Sequence, residues 1–360
     1  MLPRRLFRRS RSDVLWGLAA FAALQGALSA LIAFRLPGLR DPSYSRPAAA
    51  LAARLSAAPR PLTVVVLGSS RVQNGLQAHA VEKRLTAELG RPVAVFNFGI
   101  AGAGPLTHLF TWKRLRAQGT RPDLVCVEVV PTFLAGAAGD GPRELLTGDR
   151  LDKREMSFLK RYHFPRGEFR EDWWRSWLVP GYAHRTKLLR SLQGYWDKRI
   201  DGSGWHEESL ARGVSEAERR QGIQQARREH EAILKDFHLG GASCLALSDL
   251  LELCRRDGVP AALLWMPEGT AFRAFYAAGA EAQVETFLRG LGRAHGAALL
   301  DARRWVADDG FADCHHLAGS GAADFSERFG REALLPLLQK RYEPGRPDPA
   351  SHANLLPKGP

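Results

Sequence analysis

The sequence predicts an α/β protein of three layers, a five-stranded parallel sheet between two sets of helices, interrupted by a helical insertion and preceded by a transmembrane helix. Three observations carry that prediction. Short runs rich in Val and Leu alternate with segments of helical periodicity, the pattern of strands covered by helices on both faces. The alternation lapses over residues 135–238, where helical signals and clustered tryptophans replace it. An uncharged stretch, Val14 to Phe34, follows a run of arginines at Arg4, Arg5, Arg8, Arg9 and Arg11.

Val14 to Phe34 extends about 31 Å at about 1.5 Å per residue, matching the hydrocarbon core of a bilayer. A cleaved signal has a shorter apolar region of about 7–15 residues. The Ala27/Ser29 pair offers only a weak cleavage site, and "RRLF" is followed by too long an apolar region for a twin-arginine signal. Residues 14–36 therefore read as an uncleaved signal anchor, with a cleaved signal or a buried core helix as alternatives. The basic tail, residues 1–13, belongs in the cytoplasm, which puts the main domain outside it, in the periplasm of a Gram-negative cell. Much of the net charge of +13 then reflects topology, and nucleic acid is not an expected partner. Residues 37–60, rich in Pro, Ala, Ser and Arg, read as a linker, and Pro-rich residues 341–360 as a disordered tail.

The α/β domain occupies residues 61–134 and 239–340. "LTVVVL" (62–67), ended by Gly68, is the first strand, followed by a helix over Leu76–Leu89. "VAVFNF" (93–98) leads through a Gly-rich turn to a helix over 105–118, and "DLVCVEVV" (123–130) is stopped by Pro131. In the insertion, 135–238, Trp173, Trp174, Trp177 and Trp196 either form the core of a cap or line a groove. "SEAE" at Ser215 is a capping box opening a long helix. A helix at 240–256, the strand run "PAALLW" (260–265), a helix at 275–295, "AALLD" (297–301) and a last helix to about residue 339 complete the domain. Cys244 and Cys254 share one helix about 15 Å apart, too far to bond, and Cys126 sits in a buried strand.

Ligands of open α/β sheets bind beyond the carboxyl ends of the strands. Those ends carry "GSSR" (68–71), "NFGIAGAG" (97–104), "PTF" (131–133), "MPEG" (266–269) and "ADCHH" (312–316). A serine, glycine-rich backbone donors and an Asp-x-x-His pair thus meet on one rim, the inventory for acyl transfer through a serine nucleophile.

In these blocks the sequence resembles the SGNH, or GDSL-type, hydrolases and acyltransferases. "LGSSR" places Ser70 at the nucleophile position, "NFGIAG" places Gly102 on the oxyanion-hole glycine, and "DCHHLAGSGA" supplies Asp313 and His316. The resemblance covers roughly residues 60–134 and 258–340 and implies a flavodoxin-like sheet and a Ser70–His316–Asp313 triad. It implies an oxyanion hole from the N–H groups of Ser70 and Gly102, and no cofactor. The family's third block is Gly-x-Asn-Asp, and here Thr132 stands about where that Asn would be. Loss of one oxyanion donor costs about 10²–10³ in rate. Arg71 and Glu268 are rim candidates for substrate binding, Arg71 having a surface salt bridge as its plainer reading. His315 is expected to have no chemical role. The anchor implies acyl esters of envelope polysaccharide or of a lipid-linked donor as substrate.

Other chemistries fit less well. Adjacent residues of one loop rarely all face one ion, and no second Cys/His pair at zinc-like spacing accompanies "DCHH", so no metal is expected. "GIAGAG" is not the dinucleotide fingerprint, no Walker lysine follows it, and "GSSRV" lacks the Gly-x-Ser-x-Gly elbow. Thr132 leaves one further alternative, a non-catalytic scaffold or carbohydrate-binding protein on the same fold.

Overall fold

A computed structural model describes residues 4–56, 60–136, 143–162, 167–193, 201–205 and 214–341. Five strands, β1 (Leu62–Gly68), β2 (Val93–Gly99), β3 (Leu124–Glu128), β4 (Ala261–Trp265) and β5 (Ala298–Asp301), pair in parallel in the order β2-β1-β3-β4-β5. This is the flavodoxin-like order, and its switch point lies between β1 and β3, where the order of strand addition reverses. Gly68 pairs with Gly99 and Val66 with Cys126, so the ends of β1 and β2 are level. Alternate residues of each strand enter opposite cores. Val65, Leu67, Phe96, Phe98, Val125 and Val127 face one, and Val64, Val66, Val95, Cys126 and Leu264 the other. Burial on both faces is why the strands read as unbroken apolar runs.

The first core is covered by α2 (Pro42–Leu55), α5 (Pro105–Ala117), α12 (Gly241–Arg256) and α14 (Ala280–His295). The second is covered by α4 (Ala78–Leu89) and by α15 (Gly319–Arg328) with α16 (Leu335–Arg341). Three short helices follow strand ends, α3 (Ser70–Gly75), α6 (Pro131–Leu134) and α13 (Thr270–Arg273). The insertion contains α7 (Lys153–Phe158), α8 (Gly167–Leu178), α9 (Pro180–Ala183), α10 (Arg185–Leu192) and α11 (Glu216–Lys235). Ser215 and Glu218 form the capping box of α11. All four cysteines are free, with Cys244 and Cys254 both on α12.

Helix α1 runs from Arg4 to Phe34, and its Arg11–Phe34 part, of mean hydropathy 1.8, is long and apolar enough to cross a membrane. The expected linker is a correction. Residues 42–55 form α2, and Tyr44, Ala48 and Leu51 are buried in the first core. Pro42 occupies the first helical position, where its missing N–H is not needed, and the buried face outweighs the interruption at Pro47. The helix expected at 76–89 begins at Ala78, because a separate helix, α3, precedes it. The helix expected from 275 begins at Ala280, after left-handed Gly279. The insertion is not an isolated cap: Leu151, Leu159, Tyr162, Phe169 and Leu234 join the first core. Trp173 and Trp177 are half-buried and Trp174 is exposed; Trp196 and residues 342–360 lie outside the described residues.

Candidate active site

The turn after β1 is shaped by a glycine that cannot be enlarged. A Cβ on Gly68 would lie 2.3 Å from Val72 Cγ2 and 2.8 Å from Glu128 Oε2. Ser69, not Ser70, caps the following helix, its hydroxyl accepting the N–H of Arg71 at 3.2 Å. The Ser69 N–H donates to the buried carboxylate of Glu128. Asn97, buried near the end of β2, donates through Nδ2 to the carbonyls of Val72 (2.8 Å) and Leu76 (2.9 Å) and accepts the N–H of Gly99 at 2.9 Å. With its neighbour capping the helix, Ser70 keeps its half-buried hydroxyl free for His316, whose Nε2 lies 2.8 Å away.

The partner loop comes from the far end of the chain. It is closed by the Phe311–Leu317 bridge and by the N–H of Ala312 donating to His316 O at 2.9 Å. Asp313 organises it: Oδ1 accepts the N–H groups of His315 and His316, both at 2.7 Å, and Oδ2 accepts Nδ1 of His316 at 2.8 Å. Nδ1 donating to Asp313 leaves Nε2 as the acceptor facing Ser70. Burial alone would raise the Asp313 pKa, but the bond from His316 and the adjacent imidazoles hold it well below the usual carboxylate range. Helix α11 braces this loop. A Cβ on Gly222 would come within 2.7 Å of Asp313 Cβ, and Arg219 donates to the carbonyls of Asp308 (3.3 Å) and Asp309 (3.2 Å).

The His315 ring lies beside that of His316, 4.0 Å between centroids, and packs against Phe272 (5.2 Å) and His230 (5.1 Å). Burial, followed by the charge of His316, pushes its pKa well below the ordinary value. Asp313, Cys314 and His315 can offer ligand atoms within 4.8 Å of one another. The Asp313 oxygens, however, already accept three N–H bonds, and burial pushes the Cys314 thiol up to about 12, far from the thiolate a metal requires.

Gly102 has φ +70°, and Leu145 lies over it, its N–H donating to Gly102 O at 2.8 Å. A Cβ there would meet Leu145 at 2.5 Å, so both conformation and space demand glycine. Thr132 is buried near the start of α6, and its hydroxyl has no hydrogen-bond partner among the described residues. Glu144 accepts the N–H groups of Gly104 (3.1 Å), Leu106 (2.8 Å) and Thr107 (2.7 Å), fastening the insertion to the start of α5.

Arg71 and Glu268 are corrections. Neither is on the rim nor on the surface. Arg71 is 3% exposed and donates through Nη2 to the carbonyls of Met266 (3.1 Å) and Pro267 (2.7 Å). Its guanidinium lies between Glu128 (3.8 Å) and Glu268 (3.6 Å). Glu268 also accepts from Trp265 Nε1 and the Tyr276 hydroxyl, both at 3.0 Å. A buried charge needs such partners, and they tie the ends of β1, β3 and β4 together beneath the site. Glu128, Asn97 and Glu144 were missed by sequence reasoning. For Glu128 and Asn97 the available signal was a polar residue at the carboxyl end of an otherwise apolar strand. A cavity of about 960 Å³ lies between α1, α2 and Arg114, remote from this chemistry; Ser70, Asp313 and His316 do not line it.

No family model matches the chain, and no curated protein matches it. Among solved structures it is similar to AlinE4, an SGNH-hydrolase family esterase, at 13% identity and TM-score 0.31, over 68% of this chain and 77% of that one. A catalytic mutant of Axe2, an acetylxylan esterase from Geobacillus stearothermophilus, matches at 12% identity and TM-score 0.36, over 75% and 93%. LAE5, an alpha/beta hydrolase from the metagenome of Lake Arreo, Spain, matches at 12% and 0.34, over 74% and 92%. At such identity the chemistry has to be read from this chain's own residues.

Proposed function

We propose that the protein is a membrane-anchored serine esterase or O-acyltransferase working through Ser70, His316 and Asp313. The observation that carries this reading is the continuous chain Ser70 Oγ–His316 Nε2 (2.8 Å) and His316 Nδ1–Asp313 Oδ2 (2.8 Å). Ser70 Oγ attacks the acyl carbonyl while His316 Nε2 takes its proton; the Asp313 carboxylate stabilises the resulting imidazolium. The tetrahedral intermediate collapses as the acyl C–O bond breaks, His316 returning the proton to the departing alkoxide and leaving an ester on Ser70. Water or an acceptor hydroxyl then attacks that ester, His316 acting again as base, and Ser70 is released. The N–H groups of Ser70 and Gly102 stabilise the oxyanion, with the Thr132 hydroxyl in place of the family's Asn. That hydroxyl has no partner of its own among the described residues, so it is available to donate.

The substrate class is acyl esters of envelope polysaccharide or of a lipid-linked donor. What supports it is α1: its residues 11–24 are exposed, whereas Ile32 is buried against the domain and Gln25 Oε1 accepts the Gly181 N–H at 3.2 Å. A leader destined for removal has no need of such contacts, which supports reading α1 as an uncleaved anchor; the arginines ahead of it support a domain on the extracytoplasmic side. The test is turnover of an activated acetyl ester by the full chain, with and without a polyol acceptor. Acetyl release that disappears in Ser70→Ala and His316→Ala supports the reading, and acetylated polyol marks transfer. No release in either condition contradicts it and leaves a non-catalytic scaffold.

A further inference from the structure

The insertion contains a helical hairpin that follows α1 downward and returns. At the upper level, just past the end of α1, the Arg40 guanidinium lies 4.3 Å over the ring of Trp177, near the end of α8. From there the chain descends through Leu178 to α9, where the N–H of Gly181 meets Gln25 Oε1. Gln25 lies about 14 Å along the helix axis from Phe34, at about 1.5 Å per residue. The chain then climbs in α10, and Lys187 Nζ donates back to the carbonyl of Arg40 and to Asp149 at 2.7 Å. The tip, Leu178–Tyr182, is thus level with the middle of the apolar helix beside it.

Three features of the tip are those a bilayer demands. Its outward side chains are apolar or aromatic: Leu178 is 65% exposed and Tyr182 56%. Its backbone donors are all used. Val179 N–H bonds Arg175 O (2.9 Å), Tyr182 and Ala183 bond Val179 O (3.1 and 3.0 Å), and His184 bonds Pro180 O (2.9 Å). Pro180 has no N–H, and that of Gly181 is taken by Gln25, the one strongly polar side chain of the apolar stretch. Satisfied backbone is the condition for irregular chain at membrane depth. Amphipathic residues flank the tip: Trp173, Trp174 and Trp177 on α8, and Arg185, whose guanidinium covers the Tyr182 ring at 3.8 Å. The tryptophans of α8, of which Trp177 lies at the Arg40 level, match the headgroup region above the tip.

We propose that the α8–α10 hairpin inserts its Leu178–Tyr182 tip into the domain-side leaflet of the bilayer beside α1. This rests on the reading of α1 as a membrane anchor. The hairpin gives the catalytic domain a second attachment, which fixes its attitude to the lipid surface more closely than a single spanning helix does.

The test uses the full chain in vesicles of phosphatidylethanolamine and phosphatidylglycerol, with and without a nitroxide-labelled lipid. An environment-sensitive fluorophore is placed at Leu178→Cys, at Trp16→Cys on α1, or at Gln283→Cys on α14 over the β4–β5 edge. The native thiols are buried or half-buried, and the parent chain gives their background. The proposal predicts quenching at Leu178→Cys comparable to that at Trp16→Cys, and none at Gln283→Cys. Quenching at Trp16→Cys with an unquenched Leu178→Cys overturns the proposal, meaning that protein or water covers the tip, while leaving the anchor intact. No quenching at Trp16→Cys removes the anchor reading and the hairpin proposal with it.

Discussion

The two arms of the candidate site are built differently. The Ser70 turn is held by the sheet: Gly68 ends β1, Glu128 from β3 takes the Ser69 N–H, and Asn97 from β2 ties down α3. The Asp313–His316 loop is irregular chain, held by its own carboxylate and by α11 of the insertion. The position of Ser70 is therefore a property of the sheet, whereas the orientation of His316 depends on a helix of the insertion. Damage to the first arm should appear as lost stability, and damage to the second as lost activity.

The largest expected effect is common to both arms. Ser70→Ala should lower kcat for an activated ester by about 10⁶, as nucleophile removal does in other serine hydrolases. Asp313→Asn should follow with a loss of about 10⁴, because the amide no longer selects the His316 tautomer. The contrast is sharpest between two glycines. Gly222→Leu pushes α11 against Asp313 and should cost about 10–100-fold in kcat, the scale expected for a displacement near 1 Å. Its melting temperature should fall less than that of Gly68→Ala, since Gly222 faces the Asp313 loop and not the sheet. Gly68→Ala forces Val72 and Glu128 apart and should cost about 1–3 kcal/mol in denaturant unfolding. Equal losses of stability in the two variants would erase the distinction.

The smallest effect is a pH dependence. The Asp313 pKa is lowered in the folded protein, so its contribution to stability is present above its ordinary value of 3.8 and is lost as pH falls toward the depressed value. The stability gap between the parent and Asp313→Asn should therefore narrow below about pH 4. A gap that widens on acidification would show that the carboxylate is not stabilised by its imidazole neighbours.

The sheet was legible because β1 to β4 are buried on both faces and therefore carry nearly unmixed apolar side chains, while edge strand β5 is only half-buried. The block "GSSR" stood out because it directly follows an apolar strand run, whereas "DCHH" lies well past the end of β5 and stood out by its Asp-x-x-His spacing. Helix α2 was not, since Pro42 and Pro47 imitate a linker unless the burial of Tyr44 and Leu51 is known. Arg71 was misread for a related reason. Its partners, Glu128 and Glu268, are distant in sequence, and only the sheet order brings their carboxylates to it. Ser69 as the cap is a matter of one residue in register, below what a Ser-Ser pair reveals.

The central claim is that Ser70 is a nucleophile activated by His316. Its most direct measurement is fluorophosphonate labelling of the full chain, read by intact mass and by peptide mapping. The account predicts a single adduct on the peptide bearing Ser70, lost in Ser70→Ala and strongly slowed in His316→Ala. An unlabelled parent chain, or an adduct that survives Ser70→Ala, would contradict it.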